Sequence, residues 1–82
     1  MNDTEITALI KEALMSVAPQ QAAALDSLDL SLKISSLGID SVAAMEMVGF
    51  VEEQLDITFP DEDLAQLSTF EDLARLIRRE KA

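Results

Sequence analysis

From Thr4 to Val17 the apolar side chains Ile6, Leu9, Ile10, Ala13, Leu14 and Val17 recur at steps of three and four residues, which puts them on one face of an α-helix. This periodicity constrains the fold more than any other feature, because it returns twice. Between Ser41 and Leu55 the rows Ala44, Val48, Val51, Leu55 and Met47, Val51 make a second apolar face, and in "STFEDLARLIRREKA" Phe70, Leu73, Ala74 and Ile77 make a third. Each stretch carries end signals. Asn2 or Asp3 can cap the first, and Pro19 lies just past its end. Asp40 is the natural N-cap of the second, since its carboxylate can accept from the free amides of a first turn. Ser68 and Glu71 stand in capping-box spacing at the head of the last, whose cationic end, Arg78, Arg79 and Lys81, suits the negative pole of a helix dipole. Between these two, "PDEDLAQL" reads as one short turn of helix. The patterns predict an all-α, four-helix bundle with a long first loop and a short third helix, in a single domain over residues 1–82.

The loop is the awkward part. "LDLSLKI" alternates apolar and polar residues as a strand does, but a lone strand has nothing to pair with in a helical chain. An extended loop is expected instead, with Leu28, Leu30, Leu32, Ile34 and Leu37 pressed onto the helices and a short helical turn in "QQAAAL". A connection of this length is unusual in a compact domain unless it has a function. Its far end delivers Gly38 and Ser41.

Composition excludes several uses for that serine. The 82 residues contain no Cys and no His, so there is no disulfide framework and no usual zinc, haem or iron–sulfur ligand set. A domain of this size buries only about two-thirds of its unfolded surface, which leaves little core for an enclosed catalytic pocket. Six basic residues against sixteen acidic ones give a formal charge of -10, which repels nucleic acid and anionic membranes. No Lys or Arg occurs between Lys33 and Arg75, while acids run through that interval from Asp40 to Asp72. The N-terminus "MNDTEITALI" has acids where a signal peptide needs a basic segment, and a cytoplasmic setting is expected.

A hydrolytic serine needs a base within hydrogen-bond reach and usually a G-x-S-x-G elbow. The chain offers neither a histidine nor the second glycine, and Lys33 is the nearest lysine, so no enzymatic activity is expected. A calcium loop fails as well: "DEDLAQLSTFED" has Ala65 at the third ligand position and Gln66 where the EF-hand glycine belongs. The plain structural role for Ser41 is that of a helix-start residue.

The stretch around it is more specific than its parts. "LGIDSVAAMEMVGFVEEQLDITFPDEDL" resembles the acyl carrier proteins, the phosphopantetheine-bearing carriers of fatty acid and polyketide synthesis. Leu37, Gly38, Asp40 and Ser41 match the family's L-G-x-D-S-L, Val42 replaces its usual Leu, and Glu46, Glu52, Glu53, Leu55, Phe59, Pro60, Asp61 and Glu62 follow in register. The resemblance implies a bundle of acyl-carrier type in which Ser41, beside Asp40 and Gly38, accepts 4'-phosphopantetheine from coenzyme A through a separate phosphopantetheinyl transferase. Acyl groups would then ride on the arm as thioesters, loaded by an acyltransferase or other acyl-loading enzyme and used by a ketosynthase or other synthase enzymes. "LGIDS" fits acyl carriers better than peptidyl carriers, where a second Gly takes the place of Ile39. A D-alanyl carrier and an unmodified acidic helical adaptor are the alternatives. The initiating Met and short termini suit a freestanding protein, although an excised synthase domain could be written the same way, and a monomer is expected.

Spacing about 100° per residue places Val42, Met45, Glu46, Gly49, Glu52 and Glu53 opposite the core side of the second helix. A face that is part acidic and part apolar suits an interface, where charge surrounds and orients an apolar contact. In the carrier family this helix is the main recognition surface. Gly49 costs about 1 kcal/mol against Ala in a helix interior and would allow close approach of a partner.

Overall fold

The computed structural model describes residues 1–21 and 29–81. Among the described residues four α-helices follow in order: α1 (Asp3–Val17), α2 (Ser41–Leu55), α3 (Asp61–Leu64) and α4 (Phe70–Glu80), with single 3-10 turns at Pro19–Gln21 and Ile34–Leu37. No strand occurs among the described residues, and none of the helices is long and apolar enough to cross a membrane.

The predicted apolar stripes form one core. Ile6, Leu9, Ile10, Ala13 and Leu14 of α1 meet Met47, Val48 and Val51 of α2 and Phe70, Leu73, Ala74 and Ile77 of α4, all buried, with Ile34, Ile39 and Phe59 closing the ends. Burying one such aliphatic side chain is worth roughly 1.5–3 kcal/mol, so the stripes and not the caps carry the fold. The caps set where each helix begins. Asn2 Oδ1 accepts from the Glu5 amide at 2.8 Å while Glu5 Oε1 accepts from the Asn2 amide at 3.0 Å, a reciprocal capping box that selects Asn2 over Asp3.

The head of α4 differs from the expected Ser68–Glu71 box by one residue. Thr69 is the N-cap: its Oγ1 accepts from the Asp72 amide at 3.1 Å, and Asp72 Oδ2 accepts from the amides of both Ser68 and Thr69 at 2.9 Å. The reason is that the Ser68 carbonyl is committed elsewhere. It accepts from the Ile34 amide at 2.8 Å, part of the Lys33–Thr69 bridge that keeps the approach to the helix extended through Thr69.

That contact also corrects the expectation for the loop. Lys33 and Thr69 form an isolated antiparallel bridge, extended by bonds from the Phe70 amide to the Leu32 carbonyl (3.2 Å) and from the Glu71 amide to the Leu30 carbonyl (2.7 Å). The alternating segment therefore does find a partner, in the approach to a helix and not in another strand. Ile34 is buried and Leu30 and Leu37 pack partly against the core, as expected. Leu32 does not: it is 39% exposed, because the pairing turns it outward. Leu28 and most of "QQAAAL" lie outside the described residues; Gln21 ends the 3-10 turn there and its side-chain amide donates to the Leu37 carbonyl at 2.8 Å, tying the two ends of the loop together.

Candidate functional site

The segment entering α2 is built to turn sharply and then present a serine. The 3-10 turn Ile34–Leu37 ends at Gly38, whose φ of 77° and ψ of 17° are left-handed, and the Gly38 amide donates to the Ser35 carbonyl at 3.1 Å. Ile39 then anchors the chain in the core at 4% exposure. Asp40 follows in extended geometry as the N-cap, Oδ1 accepting from the Ala43 amide at 2.8 Å and its carbonyl from the Ala44 amide at 2.8 Å. Ser41 is the first residue of the helix and is exposed.

Asp40 spends its carboxylate on the third amide of the turn. The amides of Ser41 and Val42 make no hydrogen bond among the described residues, and neither does the Ser41 hydroxyl. The hydroxyl thus belongs to a first turn with two free N–H donors, at the positive pole of a 15-residue helix, a setting that favours a phosphate oxygen.

An open cleft of about 360 Å³ adjoins this serine. Its apolar walls are Ile34 and Ile39 from the loop, Ala44 and Met45 from α2, and Leu64 and Leu67 from α3 and the segment after it. Its lining joins parts of the chain far apart in sequence, and neither motif nor periodicity could have revealed it.

On α2 the predicted outward residues are not equivalent. Val42 (68% exposed) and Met45 (48%) are large apolar side chains left in solvent, with Glu46 and Glu53 exposed beside them. Gly49 is half-buried, and a Cβ built there meets nothing within 4 Å. Glu52 is half-buried too, and it points back into the fold: Oε2 accepts from the Phe59 amide at 2.7 Å. At about 100° per residue it falls roughly 80° round the helix from Val42, on the edge that the returning chain passes.

Residues 4–77 match the family described as the phosphopantetheine attachment site. The chain is 36% identical over 64 residues to an acyl carrier protein homolog of Ureaplasma parvum serovar 3, covering 78% of this chain and 83% of that one. Acyl carrier proteins of Bdellovibrio bacteriovorus (39% over 46 residues) and Kocuria rhizophila (41% over 46 residues) are similar over 56% of this chain, a stretch that spans 59% and 57% of their own lengths. No solved structure matches the chain. The residues present fit the group that the family carries, since an unengaged hydroxyl, two free backbone donors and an adjoining apolar cleft suit a phosphodiester with a mostly uncharged arm. The match runs from α1 to the last turn of α4, and on it and on these relatives the chain belongs to the acyl carrier protein family, whose members carry acyl groups on 4'-phosphopantetheine and are not themselves catalysts.

Proposed function

We propose that Ser41 bears the phosphopantetheine arm and that the chain, as a single carrier domain over residues 1–82, holds the acyl intermediates of fatty acid or polyketide assembly. The observation that carries this reading is the exposed, unengaged Ser41 at the first turn of α2, where the amides of Ser41 and Val42 are also free of hydrogen bonds among the described residues. The arm supplies the thiol that a chain without cysteine lacks. The protein's own residues do the rest. Gly38 sets the turn, Asp40 fixes the start of the helix, and the positive pole of α2 favours the phosphodiester.

The docking face is Val42, Met45, Glu46, Gly49 and Glu53. Two exposed apolar side chains supply the contact that is desolvated, and the carboxylates orient a basic partner surface. The partners are a phosphopantetheinyl transferase, an acyl-loading enzyme or acyltransferase, and a ketosynthase or related synthase enzymes. The setting is the cytoplasm and the carrier is a monomer. Exposed charge pairs are worth only about 0.2–1 kcal/mol each, so the carboxylates act together. Reversing Glu46 and Glu53 to Lys in one variant is therefore expected to lower kcat/KM for phosphopantetheine transfer well beyond either single reversal, with the loss shrinking as salt is added. Kinetics of the transferase across a salt series test this, and rates indifferent to both salt and the double reversal would remove α2 from the docking surface.

A further inference from the structure

α3 walls the Ser41 cleft on few ties of its own: on the α4 side Asp63 Oδ2 accepts from Arg79 at 2.6 Å, and Leu64 packs partly against the core. The helix is one turn long, has no buried residue, begins at Pro60 without a side-chain cap, and carries Asp61, Glu62 and Asp63 in succession. Helices this short are unstable alone, and their position comes from what they are tied to. Residues 56–60 are that tie on the α2 side, and a single residue organises them. The Glu52 carbonyl accepts from the Asp56 amide, where the chain turns through left-handed geometry at φ 54°, and from the Ile57 amide at 3.0 Å. The Glu52 carboxylate then accepts from the Phe59 amide at 2.7 Å, and Phe59 is buried at 2% exposure directly before Pro60.

We infer that Glu52 is a positioning residue, which sets the 56–60 turn and through it the placement of α3 against the Ser41 cleft, and is not one of the docking charges. Its neighbours in the acidic run differ in the respect that matters: Glu46 and Glu53 are exposed and make no side-chain hydrogen bond among the described residues. The position of α3 decides how far Leu64 and Leu67 stand from Ala44 and Met45, the opposite wall. Through this turn Glu52 governs how much of the arm's end the cleft can shelter. The functional part of this inference rests on the carrier reading, whereas the positioning part does not.

A docking role needs the negative charge of Glu52, and a positioning role needs only an acceptor oxygen. Glu52→Gln removes the first and keeps the second, and Glu52→Ala removes both. The experiment compares these with Glu46→Gln in two measurements: phosphopantetheine transfer from coenzyme A by a broad-specificity transferase over a salt series, and amide hydrogen exchange of the unmodified protein. Glu52→Gln is expected to keep KM within about twofold of the parent, with the same salt dependence, while Glu46→Gln raises KM and flattens it. In Glu52→Ala the amides of Phe59, Leu64 and Ala65 are expected to exchange at least about tenfold faster, the change that loss of a hydrogen bond to a charged group brings, with protection restored in the Gln variant. The inference is overturned if Glu52→Gln raises KM as Glu46→Gln does, or if those amides exchange at the parent rate in Glu52→Ala. If the parent chain is never modified, the carrier reading fails alone, and exchange at Phe59 still decides whether Glu52 positions the turn.

Discussion

Gly49→Ala separates what a helix costs from what a partner needs. Gly49 lies in the middle of α2, and a Cβ added there meets nothing within 4 Å. The new methyl therefore neither clashes nor gains a packing partner, and the effect on stability comes from the backbone: Ala has less conformational freedom to lose on folding. That difference is roughly 0.5–1 kcal/mol in favour of Ala. For a domain of this size it raises Tm by about 2–8 °C. Urea and thermal unfolding followed by circular dichroism read it directly, at one fixed ionic strength because a chain of charge -10 repels itself. The same protein is then assayed for transfer of phosphopantetheine. The expected pair of results is a more stable fold and a higher KM, since the methyl stands between Met45 and Glu53 on the proposed docking face. A gain in stability with KM unchanged would take Gly49 out of that face. Unchanged or lower stability would refute the backbone argument itself.

Substitutions at two further positions probe the segments that frame the site. Hydrogen bonds from the backbone of Thr69, and then from Ser68 and the Thr69 hydroxyl, hold the Asp72 carboxyl below its usual range against the opposing pull of burial. A lowered folded pKa contributes stability above the unfolded value, near pH 4, that is lost as pH falls through the folded one. Asp72→Asn should thus be destabilised relative to the parent at pH 7, with the gap closing in urea titrations taken progressively below about pH 4; a gap that does not change with pH would show that the charge of Asp72 plays no part. At Gly38 a Cβ also meets nothing within 4 Å, but φ is 77°, so Gly38→Ala should cost about 1–2 kcal/mol from left-handed backbone alone and Gly38→Asn less, measured by the same titrations. Equal stability of all three would mean that the turn before Ser41 does not hold this geometry.

The parts of the molecule legible in the sequence are those that repeat or that bind their own neighbours. Spacing of Ile6, Leu9, Ile10, Ala13 and Leu14 locates α1 to within one residue, and the Asp40 cap with the stripe behind it locates α2 at Ser41–Leu55. The place of Ser41, exposed at the first turn of α2, is legible because the stretch around it is contiguous. At α4 two overlapping boxes, Ser68 with Glu71 and Thr69 with Asp72, are equally plausible locally, and the one that forms goes with a bridge to Lys33, half a chain away. The strand-like alternation of "LDLSLKI" was a true signal whose partner, the approach to a helix, has no strand signature of its own. Glu52 escaped for a related reason. Helical spacing puts it at the edge of the acidic face, but its partner is a backbone amide, which every residue except proline has, and nothing in the composition distinguishes Phe59 as the one reached.

The central claim is that Ser41 is the point of attachment, and intact mass tests it most directly. The protein and its Ser41→Ala variant are incubated with coenzyme A and a broad-specificity phosphopantetheinyl transferase, beside a known carrier as control. The account predicts that the parent chain gains one phosphopantetheine, and with it a titratable thiol that a sequence without cysteine cannot otherwise supply. The variant should keep the helix content of the parent and gain nothing. A parent chain left unmodified while the control is converted, or a Ser41→Ala chain that still takes up the group, would contradict it.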